Sequence, residues 1–136
     1  MEPQKEVEPQ MNADGRGLNS VTEKVIGCIY EVANRLGCGF LEVYENALLV
    51  ELTRAGLKAR QQHPIDIYYR DVLVGEYFAD LLVEDAVIIE VKIVKGFDDV
   101  HSAQCLNYLK ASGMKICLLA NFAKPKVEIK RLVNNF

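Results

Sequence analysis

The sequence has no CxxC pair and no Cys/His pairing: Cys28, Cys38, Cys105 and Cys117 lie ten or more residues apart, which leaves zinc and iron–sulfur centres without support. Cys28 and Cys117 sit inside apolar runs, where a free thiol behaves as a small buried hydrophobe of a reducing compartment. No stretch approaches the run of about eighteen apolar residues that a membrane span needs. The N-terminus also lacks the basic-then-apolar order of a signal peptide, so a soluble cytoplasmic protein is expected. There is no Walker-type glycine loop, which excludes a nucleotide-hydrolysing motor of that kind, and no internal repeat. Basic charge is not in excess either. A formal net charge of -3 removes the global basic character of a protein that holds nucleic acid by charge alone, so any such contact needs a local basic patch.

What is present suffices for one core. The chain has 136 residues, half of them apolar, enough for a single domain without staples. Residues 1–19 hold two prolines, two glycines and little to bury, and predict a disordered leader ahead of a domain over 20–136. Ser20 and Glu23 form a capping-box pattern, and Val21, Val25, Cys28, Ile29, Val32 and Leu36 recur at helical spacing up to Gly37. Tyr44, Leu48 and Leu52 mark a second helix that stops at Gly56 and carries Glu42, Glu45 and Glu51. The pattern then becomes strand-like over 58–69, 72–83 and 87–94, with Arg70-Asp71 and Glu84-Asp85 as turns, an antiparallel meander. Gly96 and Asp98 introduce a third helix closed by Gly113, followed by a buried strand over 114–121 and an edge strand over 127–133. The helix between the third and fourth strands is long enough to let them pair in parallel. This is an α/β fold, a mixed sheet flanked by helices.

Two opposite charges interrupt the apolar strand VIIEVKIV. Glu90 and Lys92 share a face, because side chains alternate along a strand. If 84–86 form the loop, Val83 pairs with Val87, and counting back places Asp80 opposite Glu90 on the same face. Two carboxylates so close are costly unless a cation holds them together. Oxygen donors of this kind suit Mg²⁺ or Mn²⁺. Asp80, Glu90 and the carbonyl of Val91 would hold the ion, which activates water and polarises a phosphate. Lys92 would orient that water or stabilise charge on the phosphoryl oxygens. The spacing alone leaves a second reading open, in which the carboxylates face solvent and Lys92 is their salt-bridge partner.

Four blocks in order, VIGCIYEVANRLGCGFLEVYENALLVEL, YFADLLVEDAVIIEVK, HSAQCLNYLKASG and LLANFAKPKVEIKRLV, resemble the GxxExxY protein family of the PD-(D/E)XK nuclease superfamily, from Ser20 to Val133. The resemblance implies an α-β-β-β-α-β core. It assigns Asp80 as the metal-binding aspartate, Glu90 and Lys92 as the ExK pair, and Gln104, with Tyr108, as a helix motif facing the site. His101 lies on the same helix face but reads as ordinary helix surface. The naming signature is one residue short: residues 39–44 read GFLEVY, so Glu42 and Tyr44 are separated by one residue rather than two. If both were helical they would point about 200° apart. Glu42 can reach a metal only where the start of the helix is unwound.

The expected function is hydrolysis of phosphodiester bonds by a Mg²⁺- or Mn²⁺-dependent nuclease, with DNA as the substrate and RNA as a second candidate. Lys95, Lys110, Lys115, Lys124, Lys126, Lys130 and Arg131 are the candidates for backbone contact. A catalytically inactive nuclease-fold module for protein interaction or nucleic-acid binding is the competing reading, favoured by the shortened signature and the acidic pI. A homodimer, or a larger repair or defence assembly, is compatible with so small a domain.

Overall fold

The computed structural model describes residues 16–134. Helix α1 (Arg16–Leu36) buries Val21, Val25, Cys28, Ile29 and Val32 along one stripe, the apolar spacing of a helix lying on a sheet. It begins four residues before the expected start. Ser20 therefore lies within the helix and is not its cap, and residues 16–19 of the expected leader form the first turn. Packing sets this start: Leu18 lies against the core, and its carbonyl accepts from Thr22 Oγ1 at 2.8 Å. The remainder of that leader, residues 1–15, lies outside the described residues. Gly37 ends the helix with φ 74, the left-handed conformation that glycine adopts without steric cost, and its N–H donates to the Ala33 carbonyl.

Helix α2 (Tyr44–Arg54) buries Tyr44, Leu48 and Leu52. Tyr44 is its anchor. The ring stacks on Phe122 at 4.3 Å, and the hydroxyl donates to the Gly37 carbonyl and accepts from the Phe40 N–H, tying down the α1–α2 connection.

Strands β1 (Ala59–Tyr69), β2 (Val72–Val83) and β3 (Val87–Lys92) form the meander, and β4 (Ile116–Asn121) joins β3 in parallel through α3 (Asp99–Ser112). Strand β5 (Glu128–Val133) closes the far edge antiparallel to β4, so the sheet order follows the chain, β1-β2-β3-β4-β5. Arg70 and Asp71 both have positive φ, as a two-residue hairpin with right-handed strand twist requires. Val83 pairs with Val87 across a loop of residues 84–86. β3 stops two residues before the expected end because the side chain of buried Asn121 replaces the ladder. It accepts from the Val94 N–H at 3.1 Å and donates to the Val94 carbonyl at 2.8 Å.

Two apolar layers cover the sheet. Leu81, Val83, Val87, Ile89, Ile116 and Leu118 pack under α1 and α2, whereas Leu82, Ile88, Cys117 and Leu119 pack with Cys105, Tyr108 and Leu109 of α3. Alternation along β2 breaks between Ala79 and Leu81. Ala79 belongs to the α3 side and Leu81 to the α1/α2 side, although both are odd-numbered. On β1, Ala59 and Ile65 are divided in the same way. Between them lie Asp80 and, by the same register, Gln62, whose φ is 52. The outer half of the hairpin thus turns over at this point, and Asp80 sits on the turnover.

Candidate functional site

The β2–β3 ladder runs from Val83↔Val87 to Leu81↔Ile89 and ends one step short of Asp80 and Glu90. There side chains replace the backbone pairing. The Asp80 N–H donates to Glu90 Oε2 at 2.7 Å, and the Val91 N–H donates to Asp80 Oδ2 at 2.8 Å. Each carboxylate is thus pinned by the neighbouring strand. Glu90 is only 3% exposed, which overturns the reading of an exposed, salt-bridged sheet face.

Burial of two carboxylates side by side has an electrostatic consequence. Desolvation, followed by the negative charge of Asp80, pushes the Glu90 carboxyl up to about 7; the bond from the Asp80 N–H and the charge of Lys92 act against this. Asp80 is also raised, by desolvation first, with Glu45 adding to the rise and the Val91 N–H, Lys92 and Gln62 opposing it. The pair therefore has an affinity for positive charge, and protons are one way to satisfy it.

Lys92, half-buried, follows Glu90 on the face toward α3. Its Nζ donates to Gln104 Oε1 at 3.1 Å, and Gln104 Nε2 donates to the Tyr108 hydroxyl at 3.2 Å. The structure thus joins Lys92, Gln104 and Tyr108 in one chain of bonds, and burial together with Glu90 and Asp80 raises the Tyr108 hydroxyl. His101 is not part of it. With Asp98 it forms the capping box of α3, its Nδ1 accepting from the Asp98 N–H at 3.1 Å.

On the other side of Asp80 an acidic cavity of about 430 Å³ is lined by Glu42, Tyr44, Glu45, Asn46, Val91 and Ile93 as well as Asp80 itself. Glu42 has φ 86 and precedes the first turn of α2, so the unwound start that the short signature demands is present. Glu45 is the residue that sequence reasoning passed over. It acts electrostatically on both Asp80 and Glu90, and it accepts from Gln61 Nε2 at 2.9 Å and Gln62 Nε2 at 3.1 Å. Its signal was its place beside Tyr44: once the ring is fixed on Phe122, the next residue is turned about 100° around the helix.

The chemistry of the side chains fits a hard divalent cation: two carboxylates of raised proton affinity, Asp80 and Glu90, and two further carboxylates, Glu42 and Glu45, along the cavity wall. Among the described residues, no group of three or more His, Cys, Asp or Glu side chains already stands in metal-holding positions. The basic candidates are dispersed. Lys124 pairs with Glu128, Lys130 donates to Ser102 and Arg131 to Asn19, while Lys110 lines a groove beside Gln104. No helix among the described residues is long and apolar enough to cross a membrane.

Among curated proteins, none matches this sequence. Two solved structures share the fold at low identity. The protein SSO0001 matches with a TM-score of 0.50 and 15% identity, over 89% of this chain and 61% of its own. An alkaline exonuclease from Laribacter hongkongensis matches with a TM-score of 0.53 and 14% identity, over 93% of this chain and 72% of its own. The chain thus spans less than two thirds of the first and rather more of the second. Nucleases of the PD-(D/E)XK superfamily typically use divalent metals, and the superfamily profile matches residues 19–132. That match spans nearly the whole described fold, and with the sheet order and the paired carboxylates on β2 and β3 it places this chain in the PD-(D/E)XK nuclease superfamily.

Proposed function

We propose that this chain is a Mg²⁺- or Mn²⁺-dependent nuclease of the GxxExxY branch that hydrolyses phosphodiester bonds, with DNA as its substrate. The observation that carries the proposal is the crossed pair of bonds by which Asp80 and Glu90 pin each other's strands, with Lys92 one step away. A carboxylate pair in which Glu90 is buried and Asp80 half-buried disfavours its own ionised state. A fold that keeps such a pair has a reason outside stability, and cation binding supplies one.

In this reading Asp80, Glu90 and the Val91 carbonyl would hold the ion, and Glu45 and Glu42 complete the acidic wall. A bound divalent cation supplies Lewis acidity toward the phosphate and makes water a better nucleophile near neutral pH. Lys92 presents an ammonium group beside Glu90, suited to orienting water and to opposing negative charge on the phosphoryl oxygens. Gln104 accepts one of its N–H bonds and so fixes where the ammonium points. Hydrolysis joins the water oxygen to phosphorus and breaks the ester P–O bond, with a proton delivered to the departing oxygen. A cytoplasmic location, and a homodimer or larger repair or defence assembly, belong to the same proposal; the buried free thiols of Cys28, Cys105 and Cys117 accord with a reducing compartment.

The test is Mn²⁺ calorimetry on the wild type and on the Asp80→Ala/Glu90→Ala double variant, with plasmid, DNA oligonucleotide and RNA cleavage run on the same samples. Site-dependent binding with DNA cleavage is the expected result. A folded wild type that binds no Mn²⁺ overturns the proposal in favour of a non-catalytic module.

A further inference from the structure

The meander is unequal in length, and this leaves a surface uncovered. Strands β1 and β2 have 11 and 12 residues, but β3 has six, so beyond Asp80 the hairpin runs on without a third strand. Between its outer half and α3 lies a groove of about 800 Å³, its walls including Tyr68, Tyr77, Val100, Gln104, Asp66 and Lys110. Two aromatic rings dominate it, Tyr68 at 62% and Tyr77 at 51% exposure. Tyr77 is propped in place. Its ring packs against Tyr108 with centroids 6.1 Å apart.

The groove is continuous with the candidate active site through a single residue. Gln104 forms part of its wall and accepts the hydrogen bond from Lys92. Tyr77 leans on Tyr108, which accepts from Gln104 in turn. A polymer lying in this groove therefore passes directly to the Lys92 end of the site.

Its lining indicates which polymer. Duplex DNA is held largely by neutralisation of closely spaced phosphates, for which this groove offers Lys110 and sets Asp66 against it, on a chain of net charge -3. Aromatic rings with free faces bind bases by stacking, which requires bases that are not already paired. We infer that the groove receives an unpaired nucleic-acid strand, bases stacked on Tyr77 and Tyr68, its backbone led past Gln104 to Lys92. The substrate's class rests on the nuclease reading above; the preference for an unpaired strand or frayed end is new to it.

The experiment measures fluorescence anisotropy of a labelled oligothymidylate and of a blunt-ended duplex of equal length, with the full chain in EDTA. The single strand binds more tightly than the duplex. Tyr77→Ala and Tyr68→Ala each weaken single-strand binding by about 5- to 150-fold, the loss of one stacked base. Tyr77→Phe retains the ring and stays within about twofold of wild type. Circular dichroism melts confirm folding, and Tyr68→Ala carries the test should Tyr77→Ala unfold. Equal affinity for the duplex, no binding by folded wild type, or indifference to both rings overturns the inference. So does a wild-type dimer that Tyr77→Ala dissolves without changing single-strand affinity, since a second copy then covers the groove. The two readings separate cleanly. Strand binding without cleavage in Mn²⁺ removes the nuclease reading and keeps the groove, whereas cleavage with binding indifferent to the rings does the reverse.

Discussion

Replacing Glu90 by glutamine should make the metal-free protein more stable at alkaline pH. The Glu90 carboxyl, ordinarily near 4.5, is pushed up to about 7 by burial and by Asp80. Each tenfold difference in proton affinity is worth about 1.4 kcal/mol, so the folded chain favours the protonated group by about 3 kcal/mol relative to the unfolded one. The sign follows from the raised value. This stabilisation is complete below pH 4.5 and is lost as pH rises through about 7, because the unfolded state gives up its proton first. Glutamine carries no charge at any pH, and its carbonyl can still accept from the Asp80 N–H now held by Glu90 Oε2 at 2.7 Å. Urea unfolding in EDTA should therefore show wild type and Glu90→Gln similar near pH 4.5. By pH 8 the variant should lead by a gap approaching about 3 kcal/mol. A variant less stable than wild type at pH 8, or a gap independent of pH, would refute the electrostatic account of the pair.

Other outcomes follow from the same geometry. Lys92→Ala should lower DNA cleavage by at least about 100-fold while leaving Mn²⁺ binding by calorimetry in place, because the ammonium is read as acting on the reacting oxygens. Glu45→Gln should weaken Mn²⁺ binding more than Glu42→Gln, since Glu45 acts on both Asp80 and Glu90; the reverse order would return the third acid to the signature position. Asn121→Ala should cost about 1–3 kcal/mol in urea unfolding, because the Val94 and Ala123 N–H groups and the Val94 carbonyl lose their partner in a fully buried position.

The local code of this chain was legible where one period and one turn suffice. Alternation along 87–92 together with a three-residue loop put Asp80 opposite Glu90, and the ladder from Val83↔Val87 to Leu81↔Ile89 follows that count. The parallel β3–β4 pair could be anticipated from the helix that joins them, and the hairpin turn at Arg70-Asp71 from two polar residues between strands. The start of α1 was not legible, because a capping pattern at Ser20 competes with apolar contact at Leu18 and contact prevails.

What only the tertiary structure decided concerns orientation between elements. Sequence parity places Ala79 and Leu81 on one face; the turnover at Gln62 and Asp80 sends them to opposite layers. The family signature selects Glu42 as the acid near the helix start, but the stack of Tyr44 on Phe122 fixes the rotation of α2 and presents Glu45 to the same cavity. The family resemblance turned Gln104 toward the site, but no local pattern announces its bond with Lys92, or that the outer hairpin and α3 enclose an aromatic groove. A period in the sequence fixes which residues share a face of their own strand or helix, while the angle at which that face meets another element is set by packing between residues far apart in the chain.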